Sequence, residues 1–369
     1  MKKSTKKFLD WKKIIPKSQE NPIGVAKSGI YFDSELNKIY IFGGSELDST
    51  KEAKLMNQFF SFDLQEQIWE KIEPTSKKSP KPRSALSMCG FKNKMWIFGG
   101  HFESKFYNDL WEFNSQTNEW KKIKTDNNES QPEPRYSHSI IYHNAYIYVF
   151  GGVLSDGSRK NDVWKFNTLE PKWEIIKTKG KIPDPRSSHT CHIYEDNLLI
   201  FGGLDKSVVK SMEIFLLDLK LFEWKQIHPI LDIPAIGGHI SMIYENQYLV
   251  CFGGFSWHSR YSNKLSYYDL KSNEWFLYQY YQNQLEKNLK EKNQKEKNLK
   301  ENQLEKTKNS VPSPRFGSVG CHISRSSFFV FGGQYENSIS YDEIWIFSFE
   351  HELVCDFRNF LELKVLVDF

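Results

Sequence analysis

The sequence predicts an all-β chain folded as a six-bladed β-propeller, and three observations carry that prediction. The tripeptide FGG occurs six times, at Phe42, Phe98, Phe150, Phe201, Phe252 and Phe331, in steps of 56, 52, 51, 51 and 79 residues. Each copy sits among short β-branched and aromatic runs divided by Gly, Asn, Asp and Pro. A tryptophan follows the FGG phenylalanine by 22 or 23 residues in copies two to five, as Trp120, Trp173, Trp224 and Trp275. Four short antiparallel strands repeated at about fifty residues describe one propeller blade after another.

Copy three shows the strands in order: PRYSHSIIYH, AYIYVFGG, NDVWKFN and PKWEIIK. These runs are too short and too rich in Ile, Val, Tyr, Phe and Trp for helices, and turn residues separate them. Glycine tolerates positive φ and lets a backbone or a large ring come close. The fixed spacing to tryptophan predicts a ring seated over that gap, burying roughly 150–250 Å². In copy one Trp69 follows Phe42 by 27 residues, so its loop after Gly44 is longer.

The two ends complete each other. Copy six offers YDEIWIF (Tyr341–Phe347) as a third strand, but Val354 stands where its tryptophan is due. The N-terminus offers DWKKIIP (Asp10–Pro16), a fourth strand with no blade. Pairing them gives six tryptophans for six blades and removes an open edge that would template aggregation. Trp11 is then expected beside Gly332 and Gly333. The organisation read is a propeller over 1–348, a charged low-complexity insert at 279–310 between blades five and six, and a tail at 349–369.

Charge is concentrated outside the repeats. The insert holds eight Lys and five Glu, and the first thirteen residues hold six Lys and one Asp, while the whole chain carries +4. The rest is slightly acidic, which gives no support to a nucleic-acid surface. Glu286–Lys290, Glu291–Lys295 and Glu296–Lys300 are i,i+4 pairs, so the insert reads as a solvated, partly helical excursion. No run approaches the ~20 apolar residues of a membrane span. Five cysteines without a CxxC spacing fit a reducing compartment, and the expectation is a cytoplasmic monomer.

The sequence PR…H, then IY-F-GG, then ND-hydrophobic, then Trp is similar to the Kelch repeat, and the likeness covers residues 11–348 apart from the insert. The resemblance implies the propeller fold; function lies on grafted loops. The tail HELVCDFRNFLELKVLVDF (His351–Phe369) resembles the opening of a BTB/POZ domain. Under that reading the order resembles adaptors of the leucine-zipper-like transcriptional regulator type, which implies ubiquitin-ligase components as partners.

The loops after each glycine pair supply the candidate partner surface. Loop five holds Phe255, Trp257, His258, Arg260 and Tyr261; loop two holds His101 and Phe102, with Phe106 and Tyr107 beyond. Trp, Tyr and Arg dominate binding hot spots because they join rigid contact area to a polar tip. Arg83, Arg135, Arg186 and Arg315 open the innermost strands. They read either as a basic mouth for an acidic peptide or as fixtures that bind main-chain carbonyls. Copies one and five lack this Pro-Arg opening, and the histidine after it appears as His138 and His189. Cys89, Cys191 and Cys321, with His192 and His322, read as buried small groups rather than a metal set. There is no nucleophile elbow, P-loop, HExxH or dinucleotide turn, and no cofactor is called for. The function read is a non-catalytic scaffold binding a protein or peptide on one face; the alternative is a small-molecule enzyme at the channel mouth.

Overall fold

A computed structural model describes residues 9–47, 53–125, 130–205, 213–229, 236–256, 261–277, 311–335 and 338–349. The insert and the tail lie outside the described residues. Alternating short strands build six blades of four antiparallel strands, blade four adding a short outer strand, Lys179–Gly180, that pairs in parallel with Glu223–Ile227. Blade three runs Ser139–His143, Tyr146–Phe150, Val163–Asn167 and Lys172–Ile176 from the channel outward. Innermost strands touch their neighbours all the way round, from Gly29–Asp33 of blade one to Val319–His322 of blade six and back.

Blade six takes its first three strands from Val319–His322, Ser327–Phe331 and Ile344–Phe349, and its outermost strand from Leu9–Ile14. Trp11 faces Phe347 across that pair. The same register recurs in every blade, as Trp69 opposite Phe62, Trp120 opposite Phe113, Trp173 opposite Phe166, Trp224 opposite Leu217 and Trp275 opposite Tyr268. The N-terminal strand is therefore the sixth fourth strand, and the ring is closed by non-covalent pairing of the two chain ends.

The tryptophans do not sit over the glycine pair of their own blade. Each packs on the FGG phenylalanine of the blade before it. Ring centroids are 4.7 Å apart for Trp11–Phe252, 5.3 Å for Trp69–Phe331 and 5.4 Å for Trp120–Phe42. They are 5.2 Å for Trp173–Phe98, 5.5 Å for Trp224–Phe150 and 5.6 Å for Trp275–Phe201. Trp11 thus rests on Phe252 of blade five, not on Gly332 and Gly333. The core is correspondingly divided into six layers, each shared by two adjacent blades.

The glycine pair makes room for the backbone of the next blade, and in blades two and three for its histidine ring, not for the tryptophan. A Cβ on Gly99 would lie 2.6 Å from the Arg135 carbonyl oxygen of the next blade, and Gly100 donates its N–H to that same oxygen at 2.9 Å. Gly100 holds φ +88°, a region that favours glycine.

Trp11→Ala should cost about 3–5 kcal/mol in urea unfolding, as for other buried tryptophans. Phe252→Ala in the same background should add less than its cost alone, because the two rings touch. Strictly additive losses would show that the blade five–six layer does not depend on this contact.

Candidate functional site

One face of the ring gathers the residues that precede the inner strands and those that follow the glycine pairs. Ser84, Tyr136, Ser187, Gly237 and Phe316 bridge to His101, Val153, Leu204, Phe255 and Gln334, and Ala26 bridges to Ser45 in blade one. This face is the channel mouth.

At its centre six residues, one per blade, form a closed cycle of backbone hydrogen bonds. Lys27 donates to Gly317, Ala85 to Lys27 and Ser137 to Ala85, each at 2.8 Å. Ser188 donates to Ser137 at 2.9 Å, and Gly238 to Ser188 and Gly317 to Gly238 at 3.0 Å. All six are left-handed, with φ between 52° and 66°. No sequence pattern announces this cycle, because Lys, Ala, Ser, Ser, Gly and Gly share only the backbone that makes it.

The arginines are not part of a partner surface. Arg83, Arg135 and Arg315 are wholly buried, and Arg186 is 1% exposed. Arg135 donates to the Glu133 carbonyl at 3.0 Å, to the Gly151 carbonyl at 3.0 Å and to both carboxylate oxygens of Asp162 at 2.7 and 2.9 Å. Arg83 repeats this with Lys81, Gly99 and Asp109; Arg186 and Arg315 do so with Glu213 and Glu343. Each guanidinium ties the lead-in of the first strand to the end of the second and the start of the third in one blade. Burial opposes ionisation of Asp109, Asp162 and Glu343. Hydrogen bonds from arginine and tryptophan outweigh it, Lys13 adding to them at Glu343, and hold all three below the usual range, Glu343 at about 2. In blades one and five both members change together: Val25 and Gln58, and Ile236 and Lys264, occupy the paired positions. A blade drops the clasp whole, consistent with the cost of a buried charge left alone.

His138 and His189 are also inside, at 4% and 7% exposure, and His239 of blade five joins them at 5% despite the missing Pro-Arg. Each ring lies against the FGG phenylalanine of the preceding blade, with centroids at 5.3 Å for Phe98, 5.1 Å for Phe150 and 4.8 Å for Phe201. Burial holds all three neutral, His138 and His239 at about 3 and His189 well below the usual value. Among the described residues no three His, Cys, Asp or Glu side chains gather as metal ligands would. Burial pushes the thiols up, Cys191 to about 11 and Cys251 to about 12.

Of the loop residues, His101 and Phe102 form a tight hairpin with Phe106 and Lys105 on the mouth face. His101 lies 4.9 Å from the Tyr136 ring and Phe106 lies 5.5 Å from it, so blades two and three share an aromatic cluster. A second cluster spans blades five and six: Phe255 is 5.6 Å from Tyr261, which is 5.3 Å from Tyr335. Tyr335 is 38% exposed. Sequence reading missed Tyr136 and Tyr335, which stand at ordinary repeat positions. Trp257, His258 and Arg260 lie outside the described residues.

The chain belongs to the Kelch-repeat family: the profile of the KLHDC2/KLHL20/DRC7 Kelch-repeats domain matches residues 5–203 and 126–288. It is 26% identical over 351 residues to the leucine-zipper-like transcriptional regulator 1 homolog of Drosophila melanogaster, covering 89% of this chain and 32% of that protein. It is 33% identical over 184 residues to Kelch domain-containing protein 3 of Homo sapiens, covering 47% and 46%. Acyl-CoA-binding domain-containing protein 6 of Oryza sativa subsp. japonica is 26% identical over 221 residues, covering 58% and 33%. The chain spans between a third and a half of the length of these relatives. No helix among the described residues is long and apolar enough to cross a membrane.

Arg186→Val should cost about 3 kcal/mol or more, since it removes the buried guanidinium that bonds the Asp184 and Gly202 carbonyls and Glu213, and opens a cavity. Adding Glu213→Gln, which gives blade four the pair found in blade one, should cost no more; additive losses in thermal unfolding would contradict the paired clasp. A second outcome concerns pH. The unfolded chain binds protons on His138, His189 and His239 below about pH 6.5, while in the folded chain His138 and His239 resist until about pH 3 and His189 is likewise held well below its usual value. Their stabilisation is therefore complete above pH 6.5 and is lost as pH falls, by about 1.4 kcal/mol per unit for each ring. His138→Gln should flatten the stability curve between pH 6.5 and 4.5; an unchanged slope would contradict the neutral buried ring.

Proposed function

We propose that this propeller is a protein-interaction module that holds a protein or peptide on its mouth face, without chemistry of its own. The observation that carries this reading is the pair of aromatic clusters, His101–Phe106–Tyr136 and Phe255–Tyr261–Tyr335, on either side of the backbone cycle. Grouped rings that rise from a rigid frame keep little side-chain entropy to lose, and such groups dominate interface energetics. In the sequence Trp257, His258 and Arg260 stand between Phe255 and Tyr261 of the second cluster, and Phe102 flanks the first. A substrate-receptor role beside a ubiquitin ligase is one form of this reading, supported by the likeness to the leucine-zipper-like transcriptional regulator 1 homolog.

Affinity purification of the tagged full chain, followed by mass spectrometry, tests it. Tyr136→Ala and Trp257→Ala should each lower recovery of specific partners about thirtyfold in affinity, the size of a hot-spot loss near 2 kcal/mol. Their melting temperatures should stay within a few degrees of the parent. Full recovery of partners by both variants would move the binding surface elsewhere.

A further inference from the structure

The third strand of blade six ends unlike the other five. In the register of second and third strands, Asp63, Asn114, Asn167, Asp218 and Asp269 close the third strands of blades one to five. Each side-chain oxygen accepts the backbone N–H two residues on, at 2.7–3.0 Å, and so turns the chain into its fourth strand. Blade six has Ser348 at that position, its hydroxyl 2.9 Å from that of Ser327. No turn is called for, because Leu9–Ile14 already supplies the fourth strand.

The chain therefore leaves the ring at a defined place. Ile344 pairs with Phe331, just before the glycine pair on the mouth face, and Ser348 pairs with Ser327 at the other end. The strand delivers Phe349 to the face opposite the mouth. There Phe349 donates its N–H to the Ser326 carbonyl at 2.7 Å. Its ring lies flat on Tyr244 of blade five, with centroids 4.2 Å apart and planes 12° from parallel. Tyr244 and Ser326 both line a hollow of about 480 Å³ between the inner turns of blades five and six, together with Ile243, Asn246 and His322.

Twenty residues follow Phe349, from Glu350 to Phe369, and lie outside the described residues. Eleven of them are apolar, against 39% of the whole chain, so the segment gains more than most by leaving water. Leu353 and Phe357 stand four and eight residues beyond Phe349, a reach of up to about 13 and 27 Å. The hollow begins at Phe349's own contacts, well inside that reach.

We infer that the segment beginning at Glu350 docks on the face opposite the mouth and lays Leu353 and Phe357 in the hollow between blades five and six. This concerns a second face and stands or falls apart from the mouth-face reading. The same junction is where Trp11 of the N-terminal strand meets Phe252, so a tail held there also braces the layer that the two chain ends close.

Hydrogen–deuterium exchange with mass spectrometry tests this on the purified full chain, at two protein concentrations, and on a Leu353→Asp, Phe357→Asp double variant. In the parent, amides of Glu352–Phe360 should exchange about tenfold or more slowly than a free peptide of that sequence. The double variant should return them to the free rate and quicken exchange in Ile243–Gln247, Ile323–Ser326 and Asp10–Ile14. Asp33–Lys38, the matching inner turn of blade one, should not change. A tail exchanging at the free rate in the parent overturns the docking, whether or not the variant folds. Tail protection lost in the variant with both turns of the hollow unchanged places the tail elsewhere and overturns it. Protection that falls on dilution shows a second copy's tail in the hollow, and overturns it too.

Discussion

Each blade is held to the one before it by a fourth-strand tryptophan laid on an FGG phenylalanine. A four-stranded blade has two apolar faces and buries neither alone, so this contact is where the core exists. It must be made six times, and a missing one leaves two faces exposed and a sheet edge open. That requirement explains why residues near the start of the chain are spent on completing blade six. Trp11, only 7% exposed, is the sixth member of the set and the only one brought in from the far end of the sequence.

The other repeated residues serve the same contact. The glycine pair lets the backbone of the next blade approach until its carbonyl is bonded, which sets the distance at which tryptophan meets phenylalanine. The buried arginine and its acid hold three segments of one blade rigid behind that approach. His138, His189 and His239 fill the channel side of the phenylalanine that tryptophan covers from outside. Residues that recur at the period are thus consumed by structure. Those that break it, or that rise from loops of unequal length, are not spent on that contact.

Much of this was legible in the sequence. Strand order, blade number and the role of Trp11 follow from spacing, because a repeat exposes its own period. Two readings fell short for one reason. The tryptophan was placed over the glycines of its own blade, and Arg83, Arg135, Arg186 and Arg315 were left open between a partner surface and fixtures on main-chain carbonyls. Spacing within a copy says what recurs together; it does not say which blade a side chain leans toward. The acid partners were visible as Asp109, Asp162, Glu213 and Glu343, and their joint loss with arginine in blades one and five was the signal that would have buried the pair. The central cycle left no such trace, since backbone bonds ask only for a tolerated φ.

That last point separates the two jobs of the mouth. Because the cycle closes through N–H and C=O groups, its side chains can change without unmaking it, within the limits of a left-handed backbone. Five blades keep small residues there, whereas blade one carries Lys27, whose ammonium stands 5.5 Å from the centroid of the Phe316 ring of blade six. The bridges between Ser84, Tyr136, Ser187 and Phe316 and the residues after the glycine pairs are also main-chain contacts, so their side chains are equally free to vary. A face framed by backbone bonding can carry different side chains at little cost to the ring beneath it. In a fold whose core recurs blade after blade, specificity then has to reside in such positions, and reading a Kelch propeller for function means reading where its copies differ.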